Sequence, residues 1–186
     1  MRHLAILLAC ALPLAACNQS PQVDEKNATA AEVAQKVREA GGDQSLIHAG
    51  LWQSKVTIER FEVPGMPAEM VQRMKAMMAE RQEHSFETCL TPEDVKRPKE
   101  DFFAGKNNNC RYDHFTMGGG KIDAAMRCGG ERGESQVMQL AGTYSPESYQ
   151  MQTAMKMEGG SEPGAGMSMT LRVDARRIGN CSAKQG

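Results

Sequence analysis

Five methionines have the spacing and the atoms to do chemistry. Met66, Met70, Met74, Met77 and Met78 follow Pro64-Gly65 at intervals of three and four residues. A helix opening at Met66-Pro67-Ala68-Glu69, with proline near its first turn, carries them as one stripe and leaves Arg73, Lys75, Glu80 and Arg81 mostly off it. Thioether sulfur is soft and suits Cu(I), and with His84 just beyond, Met66, Met70, Met74 and Met78 would make a periplasmic copper handler. Methionine is also a flexible gap-filler and a surface for adaptable apolar binding. Packing is therefore the default reading of the stripe, an apolar groove the next, and no metal ligand or cofactor is assigned.

The remaining reactive types give less. His3 falls in the leading segment, and His48 stands at the edge of a polar stretch. His84 and His114 fall on expected strands, in phase with Phe86 and Tyr112. Ser85 and Asp113 beside them form no nucleophile motif of the G-x-S-x-G kind. Glu93 and Asp94 read as acids in the first turn of a short helix capped by Thr91. The glycines at 118–120 and 129–130 fall between strands and open no helix, so they are turns and not a phosphate loop. A hydrolase using His84 or His114 would need both to converge with an acid, and no catalytic residue is assigned.

Before any domain comes a targeting segment. Arg2 precedes the apolar run Leu4–Leu14, which at about 11 residues is too short to span ~30 Å of hydrocarbon. Leu14-Ala15-Ala16-Cys17 resembles the lipobox of bacterial lipoproteins. That resemblance implies cleavage after Ala16, diacylglycerol on the Cys17 sulfur and acylation of the new amino terminus. Two or more fatty chains give stable attachment where one gives marginal binding. Asn18 after the cysteine points to the outer membrane, facing the periplasm. The membrane is thus an expected partner through Cys17.

Cleavage leaves 22 − 1 = 21 basic against 23 acidic residues, a near-neutral balance with no electrostatic footprint for nucleic acid. The expected layout is a signal peptide over 1–16, a lipid-anchored polar tether over 17–47 and a β-domain over 48–186. Thr29-x-x-Glu32 caps a short helix through Ala40, but Val33 and Val37 make a poor apolar face, so the helix is expected to fray. With Cys10 in the signal peptide and Cys17 lipidated, Cys89, Cys110, Cys128 and Cys181 remain. An even number in an oxidising compartment reads as two disulfides, and without a C-x₂-C pair zinc is not the reading. Three pairings are open. Cys89–Cys110 with Cys128–Cys181 is favoured, the first closing a local excursion and the second pinning the chain end.

Period-two alternation begins at Gly50-Leu51-Trp52, where Trp52, Ser54, Val56 and Ile58 share a face. It is clearest in Tyr149-Met151-Thr153-Met155-Met157 and in Met167-Met169-Leu171-Val173-Ala175. Further strands are expected near 81–90, 109–117, 120–128 and 134–144. The fold class is mainly β, with an α component. It is a curved antiparallel meander or partial barrel of about seven strands, with one inserted methionine-rich helix lying across the concave face.

Gly50-Leu51-Trp52, Cys89-Leu90-Thr91-Pro92-Glu93, Cys110, Cys128, Gly142-Thr143-Tyr144-Ser145 and Arg177-Ile178-Gly179-Asn180-Cys181 together resemble an exported bacterial family, domain of unknown function 3617. The resemblance spans about residues 48 to 181. Its motifs are an opening strand, turns and cysteines, so it implies an architecture and no activity. The functional expectation is a non-enzymatic cell-envelope binding module, for an apolar small molecule or an envelope protein. Its candidate face is Met66, Met70, Met74, Met77 and Met78 with Met155, Met157, Met167 and Met169.

Overall fold

The computed structural model describes residues 22–41, 46–82, 85–96, 109–130, 133–159 and 166–182. Eight strands form one open antiparallel sheet in the order β1-β4-β5-β6-β7-β8-β2-β3. They are β1 Val23–Thr29, β2 Gly50–Glu62, β3 Phe86–Leu90, β4 Cys110–Gly118, β5 Lys121–Gly129, β6 Ser135–Ser145, β7 Ser148–Glu158 and β8 Ser168–Gly179. Three helices accompany them: α1 Ala30–Gly41, α2 Ala68–Gln82 and α3 Pro92–Lys96.

The meander β4 to β8 follows from alternation and short turns. Gly119 and Gly120 both take positive φ, 58° and 75°, which glycine adopts without the clash a Cβ brings, and this closes β4 onto β5. The chain then places its first long strand beside its last. β2 pairs with β8 from Leu51↔Gly179 to Glu62↔Ser168, with register shifts at Leu51/Trp52 and Ile58/Arg60. β3 pairs with β2 alone and forms one edge of the sheet, while β1 forms the other on β4.

The register sorts the side chains into two faces. Trp52, Ser54, Ile58 and Phe61 of β2 stand in line with Arg177, Ala175, Leu171 and Met169 of β8 and with Tyr149, Thr153 and Met155 of β7. The same row runs on through Met138 and Leu140 of β6, Met126 and Ala124 of β5, and Tyr112 and Phe115 of β4. The opposite face is polar and laced with surface pairs. Arg172 binds Asp174 at 2.9 Å, Gln152 binds Glu59 at 2.6 Å, Arg176 binds Gln53 at 3.0 Å and Arg127 binds Asp113 at 3.2 Å. Apolar on one side and solvated on the other is the usual economy of an antiparallel sheet.

Three expectations are corrected here. The sheet has eight strands, not seven, and the additional one lies in the stretch read as a tether. Residues 23–41 instead supply edge strand β1 and helix α1. Thr29 and Glu32 cap α1 reciprocally: the Thr29 amide donates to Glu32 Oε2 at 2.7 Å and the Glu32 amide to Thr29 Oγ1 at 3.2 Å. These bonds hold the Glu32 carboxyl below the usual carboxylate range. The α1 face that looked poor is sealed: Val33 and Ala34 are fully buried and Val37 nearly so, and the two valines belong to the cluster that holds Tyr112, Phe115, Met117 and Met126. Small residues such as Ala34 let the helix approach the sheet closely, so two valines suffice.

The disulfides are Cys89–Cys181 and Cys110–Cys128, which overturns the favoured pairing. Cys110 and Cys128 lie directly opposite on β4 and β5, with Cα atoms 4.0 Å apart. Cys89 on β3 and Cys181 just past β8 flank the start of β2, at a Cα distance of 5.5 Å. By loop-closure entropy, separations of 92 and 18 residues give about 4–5 and about 3 kcal/mol.

The third correction concerns α2. It packs chiefly on β2, and Met70, Met74 and Met77 stay 51%, 38% and 60% exposed. Packing, the default reading of the stripe, therefore fails for these three. The strand expected over 81–90 is confined to 86–90, because α2 runs to Gln82.

Two outcomes follow. Val33→Asp puts a carboxylate into a fully buried apolar site and lowers stability by at least about 4 kcal/mol in urea unfolding, whereas a frayed tether would tolerate it. Burial pushes the Tyr112 hydroxyl from 10.0 up to about 12. The folded state keeps that proton longer than the unfolded chain, so its contribution is intact below pH 10 and is lost as the pH rises from 10 to about 12. Tyr112→Phe flattens this alkaline loss, read by unfolding midpoints across that range.

Candidate apolar binding face

Burial along the apolar face is uneven. On β1, β4 and β5 the row Val23, Ala28, Tyr112, Phe115, Met117, Ala124 and Met126 is buried under α1. On β2, Trp52, Ser54, Ile58 and Phe61 are buried as well, with Val56 between them half-buried. Between them, the same face of β6, β7 and β8 is mostly half-buried, with Ala175 buried at one end. Met138, Leu140, Met151, Met155, Met157, Met169, Leu171 and Val173 all keep intermediate exposure. The band is about 20 Å long, from Met151 to Met157 along β7, and about 10 Å wide across three strands.

Local features shape this floor. A Cβ at Gly142 would fall 2.6 Å from Met151 Sδ and 2.2 Å from Gln150 O, so glycine there lets the Met151 thioether lie across β6. Gln136 Nε2 reaches Met155 Sδ at 3.5 Å. Met157 donates its amide to Met167 O at 2.9 Å, which carries the row into Met167, also half-buried.

One end of the band is closed by aromatics and a polar latch. The Trp52 and Tyr149 rings lie 5.6 Å apart, and Trp52 Nε1 donates to His48 O at 3.0 Å. His48 Nδ1 meets Glu147 Oε1 at 2.6 Å, Arg177 Nε donates to Ala49 O at 2.8 Å, and Arg177 Nη2 donates to Asn180 Oδ1 at 2.6 Å. Gly50 makes this possible: its φ is +147°, and a Cβ there would fall 2.4 Å from both Arg177 Nε and Gly179 O. Beside the latch, burial raises the Tyr144 hydroxyl, against a weaker pull from the Gly120 backbone. On the polar face, behind this end, a shallow open depression of about 570 Å³ is lined by Lys55, Asp174, Arg176 and Gln150 among others. Arg172 holds the Asp174 carboxyl below the usual carboxylate range, so this hollow is charged and surface-screened.

The candidate residues are thus divided. Met155, Met157, Met167 and Met169 belong to the half-buried band. Of the helical five, Met66 and Met78 are half-buried and Met70, Met74 and Met77 exposed. Met138, Leu140, Met151, Leu171 and Val173 complete the floor and were not singled out by residue type, although alternation places them in phase with those that were. Cys17 and His84 lie outside the described residues. His114 is on the polar face, 2.6 Å from Asp123, and β4 stands six positions from β3 in strand order. Glu93 and Asp94 sit in the first turn of α3, where Asp94 forms a capping box with Thr91 at 2.6–3.2 Å. Among the described residues no three His, Cys, Asp or Glu side chains gather as a metal site, and no helix is long and apolar enough to cross a membrane.

These features define an open, one-sided antiparallel sheet stapled by two disulfides, on which the described helices cover β1, β4 and β2 and leave the strip between less buried. The chain belongs to the family DUF3617, described as "Protein of unknown function", which it matches over residues 47–181. The match begins at Ile47, so β1 and α1 precede it. No curated protein and no solved structure matches the chain.

Proposed function

We propose that this protein is a non-enzymatic cell-envelope lipoprotein that binds an apolar small molecule on the band formed by β6, β7 and β8. The observation that carries the reading is the contrast along one face. Nine side chains from Val23 to Cys128 are sealed beneath α1; Met138 and Leu140 of β6 pack against that cluster's margin, and six apolar side chains on β7 and β8 beyond it keep intermediate exposure. Soluble domains rarely expose large contiguous apolar patches unless something binds there. Methionine suits such a surface, because its unbranched chain repacks around differing shapes.

The anchor is part of the same reading. With β1 beginning at Val23, the spacer from Cys17 shrinks to residues 18–22, and six residue steps reach at most about 20 Å. A lipid on Cys17 would hold the domain against the bilayer, close to a source of apolar molecules.

A fluorescent polyene fatty acid, titrated into the domain without its signal peptide, gains intensity on binding. Met155→Glu, which sets a charge in the middle of the band, weakens the affinity by about tenfold or more. No intensity gain with the unmodified domain would sink the ligand reading. In cells, labelled palmitate appears on the protein and Cys17→Ser abolishes both label and membrane retention. A Cys17→Ser protein that stays membrane-bound would contradict the anchor.

A further inference from the structure

The exposed methionines of α2 lie on a definite side of that helix. Beside α2, Ile58 and Phe61 of β2 are buried on the apolar face, whereas Glu59, Arg60 and Glu62 are exposed. The helix packing on β2 therefore covers the apolar face, and Lys75 Nζ donates to Glu59 O at 3.3 Å. The chain leaves β2 at Glu62 and re-enters the sheet at Phe86, opposite Ser54, so α2 runs back antiparallel to β2. Its half-buried positions Val71, Lys75 and Met78 face the sheet. At 3.6 residues per turn, Met70, Met74 and Met77 centre about 100° behind that sector.

Hydrogen-bond alternation then tells which way "behind" points. Cys110 and Cys128, with Cα atoms 4.0 Å apart, are a non-hydrogen-bonded pair. Met157 N donates to Met167 O, and Arg177 N donates to Glu147 O. Carried across the sheet, this makes the apolar-face residues of β8 bond to β7 and those of β2 bond to β3. In a strand of L-residues running upward with a side chain toward the viewer, that residue's own N–H and C=O point right. Seen from the apolar face, β3 is then to the right of β2 and β8 to its left. A right-handed helix running downward in front of β2 turns the positions behind its sheet-facing sector to the left.

From this we infer that Met70, Met74 and Met77 overhang β8 and β7, and that with the half-buried band as floor they form a groove for one unbranched acyl chain of a lipid. This deepens the proposed function and rests on it. The occupant follows from the lining. Met70, Met74 and Met77 above, and Met138, Met151, Met155, Met169 and Leu171 below, carry no charge, and no backbone edge is offered within the band because β6, β7 and β8 are paired on both sides. A peptide laid there would lose water from its own N–H and C=O groups with nothing to replace it. An alkyl chain has no such groups, and a floor of about 20 Å by 10 Å accommodates it lengthwise.

Peroxide footprinting of the methionines, read by mass spectrometry with and without palmitic acid as the probe, tests this. Palmitate is expected to slow oxidation of Met70, Met74 and Met77 severalfold together with Met151, Met155 and Met169. Protection of the sheet methionines alone would remove α2 from the site and overturn the groove, leaving the binding function standing. Protection of neither set would overturn both. As a second arm, replacing Met70, Met74 and Met77 together by glutamine lowers palmitate affinity about tenfold with an unchanged melting temperature. Unchanged affinity in that variant would overturn the groove.

Discussion

A sheet this wide is hard for a few helices to cover. Eight strands at about 4.8 Å spacing make a face roughly 34 Å across, while a helix with its side chains is only about 10–12 Å wide. One face of the sheet is largely apolar, and among the described residues α1 and α2 lie on it. α1 seals β1, β4 and β5; α2 covers β2. The strands midway between them, β6 to β8, are the ones whose apolar side chains stay half-exposed. Among the described elements, the half-buried band is what these two helices leave between them, and methionine, leucine and valine make up most of its surface.

The two helices differ in how firmly they bind the sheet. α1 is held by a reciprocal cap, by two fully buried side chains and by the edge strand immediately before it. α2 presents a half-buried strip to β2 and leaves three methionines in solvent. A lining that must admit a ligand is better built from the second kind of element than from the first. The disulfides respect the same division. Cys110–Cys128 ties β4 to β5 under α1, and Cys89–Cys181 clasps the start of β2 between its two neighbours, so both brace strands that flank the open band. The family match, from Ile47 to Cys181, includes the band and both disulfides but not α1. In this chain, the residues before the matched region supply the helix that seals one third of the face.

Much of the architecture was legible in the sequence, because strand alternation, glycine turns and capping boxes are local. Tyr149 to Met157 and Met167 to Val173 announced themselves as strands with one soft face. Gly118-Gly119-Gly120 announced a turn, and Thr29-x-x-Glu32 and Thr91-x-x-Asp94 announced helix starts. Local pattern therefore set the kind of each element and which side chains within it share a face. Partners across long sequence separations emerge only when the strands are assembled. The pairing of Cys89 with Cys181 depends on β2 being inserted between β8 and β3, which no local pattern encodes. Val33 and Val37 looked too few to make a core until Tyr112 and Phe115, about eighty residues later, were brought beneath them. The methionines carry the same lesson: their spacing set the stripe on α2, but the placement of α2 over β2 left Met78 half-buried and Met70, Met74 and Met77 exposed. Hydrophobic period is a property of a segment, whereas burial is a property of what packs on it.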